Sequence, residues 1–248
     1  MTKEFFIGKA NNTAKKPSKI LVGNSSNIAK EVKSIFVGNS SNKAVKVFPS
    51  FPDTYQKIEY IYNTNGTEWI DTGVKPNSDT RVEITFTRAS GNSLILFGSY
   101  TDAHHEIYRA TITNISAPAS IGCDFGDRSY YTSNIAVGSK HTLLFNGSGG
   151  NFYLDGSFQF TSTETFSTLT NSMHVFGSST ASGSGYAPSS SGIYIYHFVV
   201  KQANTIIRDM YPCYLKSDTQ VVGLSDVANS QFYGNDGTGI FYKGPDVN

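Results

Sequence analysis

The stretch TRVEITFTR, residues 80 to 88, decides the fold class. Val82, Ile84 and Phe86 alternate with Arg81, Glu83 and Thr85. A period of two places the apolar set on one face of a strand and the polar set on the other. Such a strand covers a core with one side and meets solvent with the other. Similar runs, bounded by Gly, Asn, Asp and Ser, predict further strands over 57–62, 69–71, 93–99, 106–113, 119–125, 140–146, 151–154, 157–163, 173–178, 192–202 and 205–210. Leu154-Asp155-Gly156-Ser157 reads as a tight hairpin, because Asp-Gly meets the positive-φ demand of a two-residue turn. No stretch of a dozen residues carries apolar side chains at i, i+3, i+4 and i+7, so helices are not expected. About a dozen short strands with no helix between them predict an all-β chain whose main part, residues 55–248, is a jelly-roll β-sandwich.

Composition agrees. The chain has 248 residues, 38% hydrophobic and 13% aromatic, enough for a sizeable core, and only 16% are charged. Abundant Gly, Ser, Thr and Asn suit many turns. The net charge of +1 hides a split: residues 1–48 hold nine Lys and two Glu, a balance of +7, and the remainder balances at −6. Two modules with different neighbours are implied. The basic segment has no Arg and few aromatics, Phe5, Phe6, Phe36 and Phe48, which argues against nucleic acid as its partner. Lysines on edge strands commonly serve to block aggregation.

Residues 20–47, ILVGNSSNIAKEVKSIFVGNSSNKAVKV, repeat with a period of fifteen. Gly8, Gly23 and Gly38 fall in register, as do Ala14, Ala29 and Ala44. Asn-Ser-Ser-Asn is a turn signal, so the expectation is a small antiparallel meander of about four strands, with Pro17 marking an edge or a bulge. Its apolar triplets point to both faces, and so thin a sheet cannot bury both alone. A partner or a second copy is implied, with a trimer favoured. Phe48-Pro49-Ser50-Phe51-Pro52-Asp53 reads as an extended connector, which gives three parts: repeats 1–48, linker 49–54 and sandwich 55–248.

The apolar run near the N-terminus is too short for a secretory signal, and nothing approaches a membrane span. Cys123 and Cys213 belong to no CxxC or Cys/His cluster, so a metal through them is not expected; they could pair, or each could be a small buried side chain.

Several motifs carry a resemblance. Ile58-Glu59-Tyr60-Ile61 with Gly66-Thr67-Glu68-Trp69-Ile70-Asp71-Thr72-Gly73 resembles an opening "EYI…GTQYIDTG", with Trp69 where Tyr is usual. Asn151-Phe152-Tyr153-Leu154-Asp155-Gly156 is similar to the "yvDG" hairpin of laminin-G-like domains. Ile207-Arg208-Asp209-Met210-Tyr211-Pro212-Cys213, then Val222-Gly223-Leu224-Ser225-Asp226 and Gln231-Phe232-Tyr233, is similar to a closing "vRDfiPc…iGLyD…kFY". Together these resemble the concanavalin A-like sandwiches of tail-associated proteins of bacteriophages and prophages, over nearly all of residues 55–246. The N-terminal repeat also looks like short repeats preceding such domains. The resemblance implies a virion protein: residues 1–48 would attach to other tail proteins or to further copies, and the sandwich would meet a host-surface glycan. Asp71, Asp155, Arg208 and Asp209 are expected to fix turns and strand ends, with Arg208 paired to a carboxylate.

Sandwiches of this class include glucanases. Retaining hydrolysis needs two carboxylates close together across the scissile bond; the Glu-x-Asp-x-x-Glu or Glu-x-Asp-x-Glu run that the resemblance would imply for them is absent here. His104-His105 would point to opposite faces of a strand and share no ion. The resemblance to lectin sandwiches allows a calcium ion at Asp124 and Asp127, but two carboxylates are few for a shell of six to eight oxygens. No enzyme, metal or cofactor is therefore expected. Carbohydrate sites use aromatic faces and planar polar groups, usually on loops. Three stretches read as such loops and supply the candidates: Tyr100, Asp102 and His104; Asp127, Arg128, Tyr130 and Tyr131, within the run from Asp124 to Tyr131; and Tyr186, within SSTASGSGYAPSSS. The competing expectations are a purely structural tail decoration, and a bacterial carbohydrate-binding module or degenerate glycosidase.

Overall fold

The structure, a computed structural model, describes strand residues 21–23, 29–31, 35–38 and 44–48, then 51–89, 93–101, 106–113, 119–180, 185–186 and 192–247. The chain divides between Ser50 and Phe51 into two units. In the first, β1 (Leu21–Gly23) pairs antiparallel with β2 (Ala29–Glu31), and β3 (Ile35–Gly38) with β4 (Ala44–Phe48). Repeats two and three are thus one hairpin each, and among the described residues no ladder joins β2 to β3 into a continuous meander. The first repeat and Pro17 lie outside the described residues.

The second unit opens with the short β5 (Tyr55–Lys57), β6 (Ile61–Tyr62) and β7 (Ile70–Asp71). Longer strands follow: β8 (Thr80–Arg88), β9 (Ser93–Thr101), β10 (Glu106–Thr113), β11 (Ser120–Gly126), β12 (Arg128–Asn134) and β13 (Lys140–Phe145). Next come β14 (Asn151–Leu154), β15 (Ser157–Thr161), β16 (His174–Val175), β17 (Ser178–Ser179) and β18 (Gly185–Tyr186). The unit ends with β19 (Ile193–Gln202), β20 (Thr205–Leu215), β21 (Asp218–Asp226), β22 (Gln231–Tyr233) and β23 (Tyr242–Lys243). Among the described residues the only helical segment is a 3-10 turn at Ser148–Gly150, and no helix is long and apolar enough to cross a membrane.

Two antiparallel sheets form a β-sandwich. One runs β12-β11-β10-β9-β16-β7; the other runs β15-β14-β13-β8-β19-β20-β21-β22, with β5, β6 and β23 attached. The alternation that opened the sequence holds: Val82, Ile84 and Phe86 are fully buried. Facing side chains interlock as aromatic pairs. Phe97 and Tyr108 of the six-stranded sheet meet Phe145 of the larger one at centroid distances of 5.3 and 4.8 Å. Phe97 also meets Phe198 at 5.7 Å, and Phe125 meets Phe152 at 5.9 Å. The Tyr108 hydroxyl donates across the core to the Thr80 carbonyl at 2.8 Å, which satisfies a phenol that burial would otherwise penalise. Cys123 and Cys213 are free and buried, on strands of different sheets. Burial pushes the Cys213 thiol up to about 12 and that of Cys123 well above its usual range.

Two expectations are corrected. The run from Asp124 to Tyr131 is a β-hairpin rather than a loop: β11 turns at Gly126 (φ +66°) and Asp127 into β12. Strand β12 lies at a sheet edge and is largely exposed, so its sequence RSYYTSN needs little apolar alternation. The predicted strand 57–62 is broken into β5 and β6, for a topological reason. Strands β19 and β20 pair only near their hairpin, Phe198–Gln202 with Thr205–Met210, and then splay apart. The entering chain fills the gap, β5 pairing with β20 and β6 with β19. Pro212, which has no N–H, sits at this junction, where its carbonyl accepts from Ile58 N at 3.0 Å. The C-terminal segment then locks the entering one: β23 pairs with β6, Ile58 bridges Asp246, and Gly244 N donates to the Tyr60 carbonyl at 2.8 Å.

Candidate functional site

The outer face of the six-stranded sheet carries a groove of about 400 Å³. Register builds it. Gly98, Arg109, Asp124 and Ser129 form one cross-strand row over β9, β10, β11 and β12, and Ile95, Thr111, Gly122 and Tyr131 form the next. The intervening residues Tyr108, Ala110, Cys123 and Phe125 point into the core, which fixes both rows outward. Bulges in β9 and at the start of the β11–β12 ladder hold the rows in line despite unequal strand lengths.

At the centre, Arg109 Nε and Nη2 both donate to Asp124 Oδ2, at 2.9 and 2.8 Å. Ser129 Oγ donates to Asp124 Oδ1 at 2.6 Å. The carboxylate is thus neutralised and oriented, and the hydroxyl-bearing Thr111 and Thr113 line the same groove. Gly122 makes the floor: a Cβ there would stand 2.9 Å from Thr111 Oγ1 and 3.4 Å from Tyr131 Cε1. Tyr131 is 52% exposed at the rim. The result is a neutral bed of hydroxyls and one ion pair with an aromatic wall.

The first row continues through Gly98 to His174 on β16 and Asp71 on β7. Here the face is closed: Ser178 of β17 lies over Gly98, where a Cβ would come within 2.8 Å of Ser178 Oγ. His174 is buried, its ring stacked on Trp69 with centroids 4.3 Å apart. Nε2 stands 3.9 Å from Asp71, beyond hydrogen bonding, and Nδ1 finds no partner among the described residues. Burial lowers its pKa, opposed by the charges of Asp71 and Asp236.

The sequence-derived candidates scatter relative to this groove. Tyr131 lines it, and Tyr100, half-buried on β9, shares its face two residues beyond Gly98. Asp127 is exposed at the hairpin turn, and Arg128 beside it pairs with Glu164 at 2.9 Å, a surface contact of small energetic weight. Tyr130 turns inward, stacked on Phe160 at 4.7 Å and sealing the sandwich edge. Asp102 and His104 lie outside the described residues. Of Tyr186 only the backbone is described, paired with Ser178. Arg109, Thr111, Gly122 and Ser129 were not anticipated; the signal for them was the polar half of the alternation in β10 and β11, readable only once the register is known.

The motif residues hold the frame. Arg208 Nε donates to the Thr72 carbonyl at 3.0 Å, with the buried Asp226 carboxylate 3.8 Å away. Asp226 in turn accepts from Asp209 N and Ala228 N. Asp155 accepts from Thr142 N and bonds His141 Nδ1, both at 2.7 Å, and Asp71 accepts from Gly73 N. Among the described residues no group of three or more His, Cys, Asp or Glu side chains is gathered that could hold a metal ion. No protein-family model matches the chain, and no curated protein matches it either.

Proposed function

We propose that this chain is a non-enzymatic binding protein of a bacteriophage or prophage tail, and that the groove on the six-stranded sheet receives a sugar of a host-surface glycan. The observation that carries the reading is the groove's chemistry. An ordered Arg109–Asp124 pair offers planar donors, Thr111, Thr113 and Ser129 offer hydroxyls, and Tyr131 offers an exposed ring at the rim. A sugar presents the complementary set, hydroxyls around its edge and an apolar C–H face. The ligand favoured is uncharged, because the one cation is already matched by the one carboxylate. The virion assignment rests on the motif resemblance and on the basic repeats, which in this reading attach the chain to tail proteins or to its own copies. Neither nucleic acid nor a membrane is needed as a partner.

A glycan array and a host-cell binding assay with the full chain test this. Tyr131→Ala and Arg109→Met are expected to weaken binding at least tenfold, about 1.4 kcal/mol, with unchanged unfolding midpoints for Tyr131→Ala. Binding that survives both substitutions, or no binding to any glycan or cell surface, removes the groove from this role.

A further inference from the structure

The outer face of the larger sheet gathers charge at one place. Arg81 on β8 and Lys201 on β19 are register partners. Glu83, two residues along β8, faces the same way, with Leu144 of β13 and Val199 of β19 as its partners on either side. Val82, Ile84, Leu143, Phe145 and Val200, the chain neighbours of these residues, are fully buried in the core, so the five side chains lie on the opposite face. Together with Gly147 and Ser148 they line a pocket of about 150 Å³. Its end wall is the turn after β13. A Cβ on Gly147 would stand 3.0 Å from Leu144 Cδ2 and 2.9 Å from the Asn151 carbonyl oxygen, so glycine lets this turn settle onto Leu144.

The charges around this pocket are not spent on one another. Arg81, Glu83 and Lys201 are all half-buried, and among the described residues none of the three belongs to an ion pair. Arg81 makes one bond, from Nη1 to Asn204 Oδ1 at 3.3 Å, which leaves its other donors open. Asp209, the partner of Val199 on β20, is already engaged by His197 Nε2 at 2.8 Å. Alternation asks for polar side chains here but not for charged ones: Thr85 and Thr87, the next two on this face of β8, are neutral. Charge that is half-buried without a partner costs free energy, and here two cations and one carboxylate do so around a space floored by Leu144 and Val199.

Register sets the spacing. Directly opposed residues such as Arg81 and Lys201 have Cβ atoms about 5 Å apart, and Glu83 lies about 7 Å along the strand from Arg81. Long side chains at these positions can converge on a ligand whose opposite charges are close together. A plain anion would meet Glu83, a plain cation would meet Arg81 and Lys201, and a neutral molecule would leave all three unmatched. A compact zwitterion matches them, its carboxylate toward Arg81 and Lys201, its ammonium toward Glu83 and an aliphatic group on Leu144 and Val199. The pocket volume admits one molecule the size of valine or leucine. We infer that this pocket binds a free α-amino acid with an aliphatic side chain. The inference does not rest on the groove of the six-stranded sheet or on the virion assignment.

Calorimetric titration of the full chain with L-valine and L-leucine tests it, beside the analogues of each that lack the ammonium (3-methylbutanoate, 4-methylpentanoate) or the carboxylate (isobutylamine, isoamylamine). At least one amino acid is expected to bind with a Kd below about 1 mM. Its two single-charge analogues are expected to bind at least tenfold more weakly. Glu83→Gln is expected to weaken the amino acid at least tenfold and to leave the analogue without ammonium unchanged, whereas Arg81→Gln weakens both. Both substitutions keep side-chain size at half-buried positions, and equal urea midpoints check that the fold is kept. The inference is overturned if neither amino acid binds in this range, or if Glu83→Gln leaves the affinity unchanged. It is equally overturned if a single-charge analogue binds as tightly as its amino acid. A peptide terminus, which carries only one of the two charges, would then be the better match.

Discussion

His174 shows how a single side chain can set a pH response. It is buried against Trp69, and burial lowers its pKa in the fold. The unfolded chain takes up a proton on this histidine near the ordinary value of about 6.5, and the folded chain does so only at lower pH. Between those two values the unfolded state holds more protons, so stability falls as pH falls from about 6.5 toward the folded pKa. One such group contributes a slope of at most about 1.4 kcal/mol per pH unit. His174→Phe keeps an aromatic ring on Trp69 and removes the titration. Urea unfolding at pH 7.5 and 5.5 is expected to show a smaller acid loss in this variant than in the parent chain. An equal loss would place the acid sensitivity elsewhere than on His174.

At the scale of elements, turns separate backbone demands from packing demands. Asp155 and Gly156 both have positive φ in the β14–β15 hairpin, and a Cβ at Gly156 would meet nothing within 4 Å. Gly156→Ala is therefore expected to cost only the left-handed backbone penalty, about 1–2 kcal/mol. Gly150 also has positive φ, but a Cβ there would stand 2.0 Å from the Ser162 carbonyl oxygen. Gly150→Ala is expected to cost more than about 3 kcal/mol, read as a lower chemical-denaturation midpoint beside that of Gly156→Ala. The same division explains what the sequence disclosed. Strands β8, β10 and β14 coincide with their predicted spans because each buries one face along most of its length, β8 from Thr80 to Phe86, and so alternates. Strand β12 was hidden because an edge strand that is mostly exposed has no such constraint. The groove was hidden for a further reason: Arg109, Asp124 and Ser129 come from three strands, and only register, with its bulges, makes them neighbours. Tyr131 was recognisable as a candidate by its type, but nothing local distinguished its outward ring from the inward ring of Tyr130.

At the scale of the whole molecule, the two ends of the sandwich stabilise each other. Phe241 is buried and packs on Phe176 at 5.0 Å, and the segment after it covers β6 through β23. Deleting residues 241–248 removes one core aromatic and the outer ladder of the entering chain. A loss of more than about 3 kcal/mol is expected by calorimetry or denaturant unfolding, the scale of a Phe truncation in a core. A near-neutral deletion would mean that the sandwich does not depend on its C-terminal segment. The opposed charges of the two units, +7 over residues 1–48 and −6 over the rest, keep the chain near neutrality while giving each part its own electrostatic character.

The interleaving of the entering chain with β19 and β20 also has a mechanical meaning. Tension applied at Phe51 reaches the sandwich through β5 and β6, which are held along one side by β20 and β19 and along the other by residues near the C-terminus. Glu59 N bonds the Pro245 carbonyl at 2.8 Å and Val247 N bonds the Lys57 carbonyl at 2.9 Å, so the load is divided among segments from both ends of the domain. A tether anchored in this way is held by backbone bonds to segments from both ends of the domain rather than by one ladder alone.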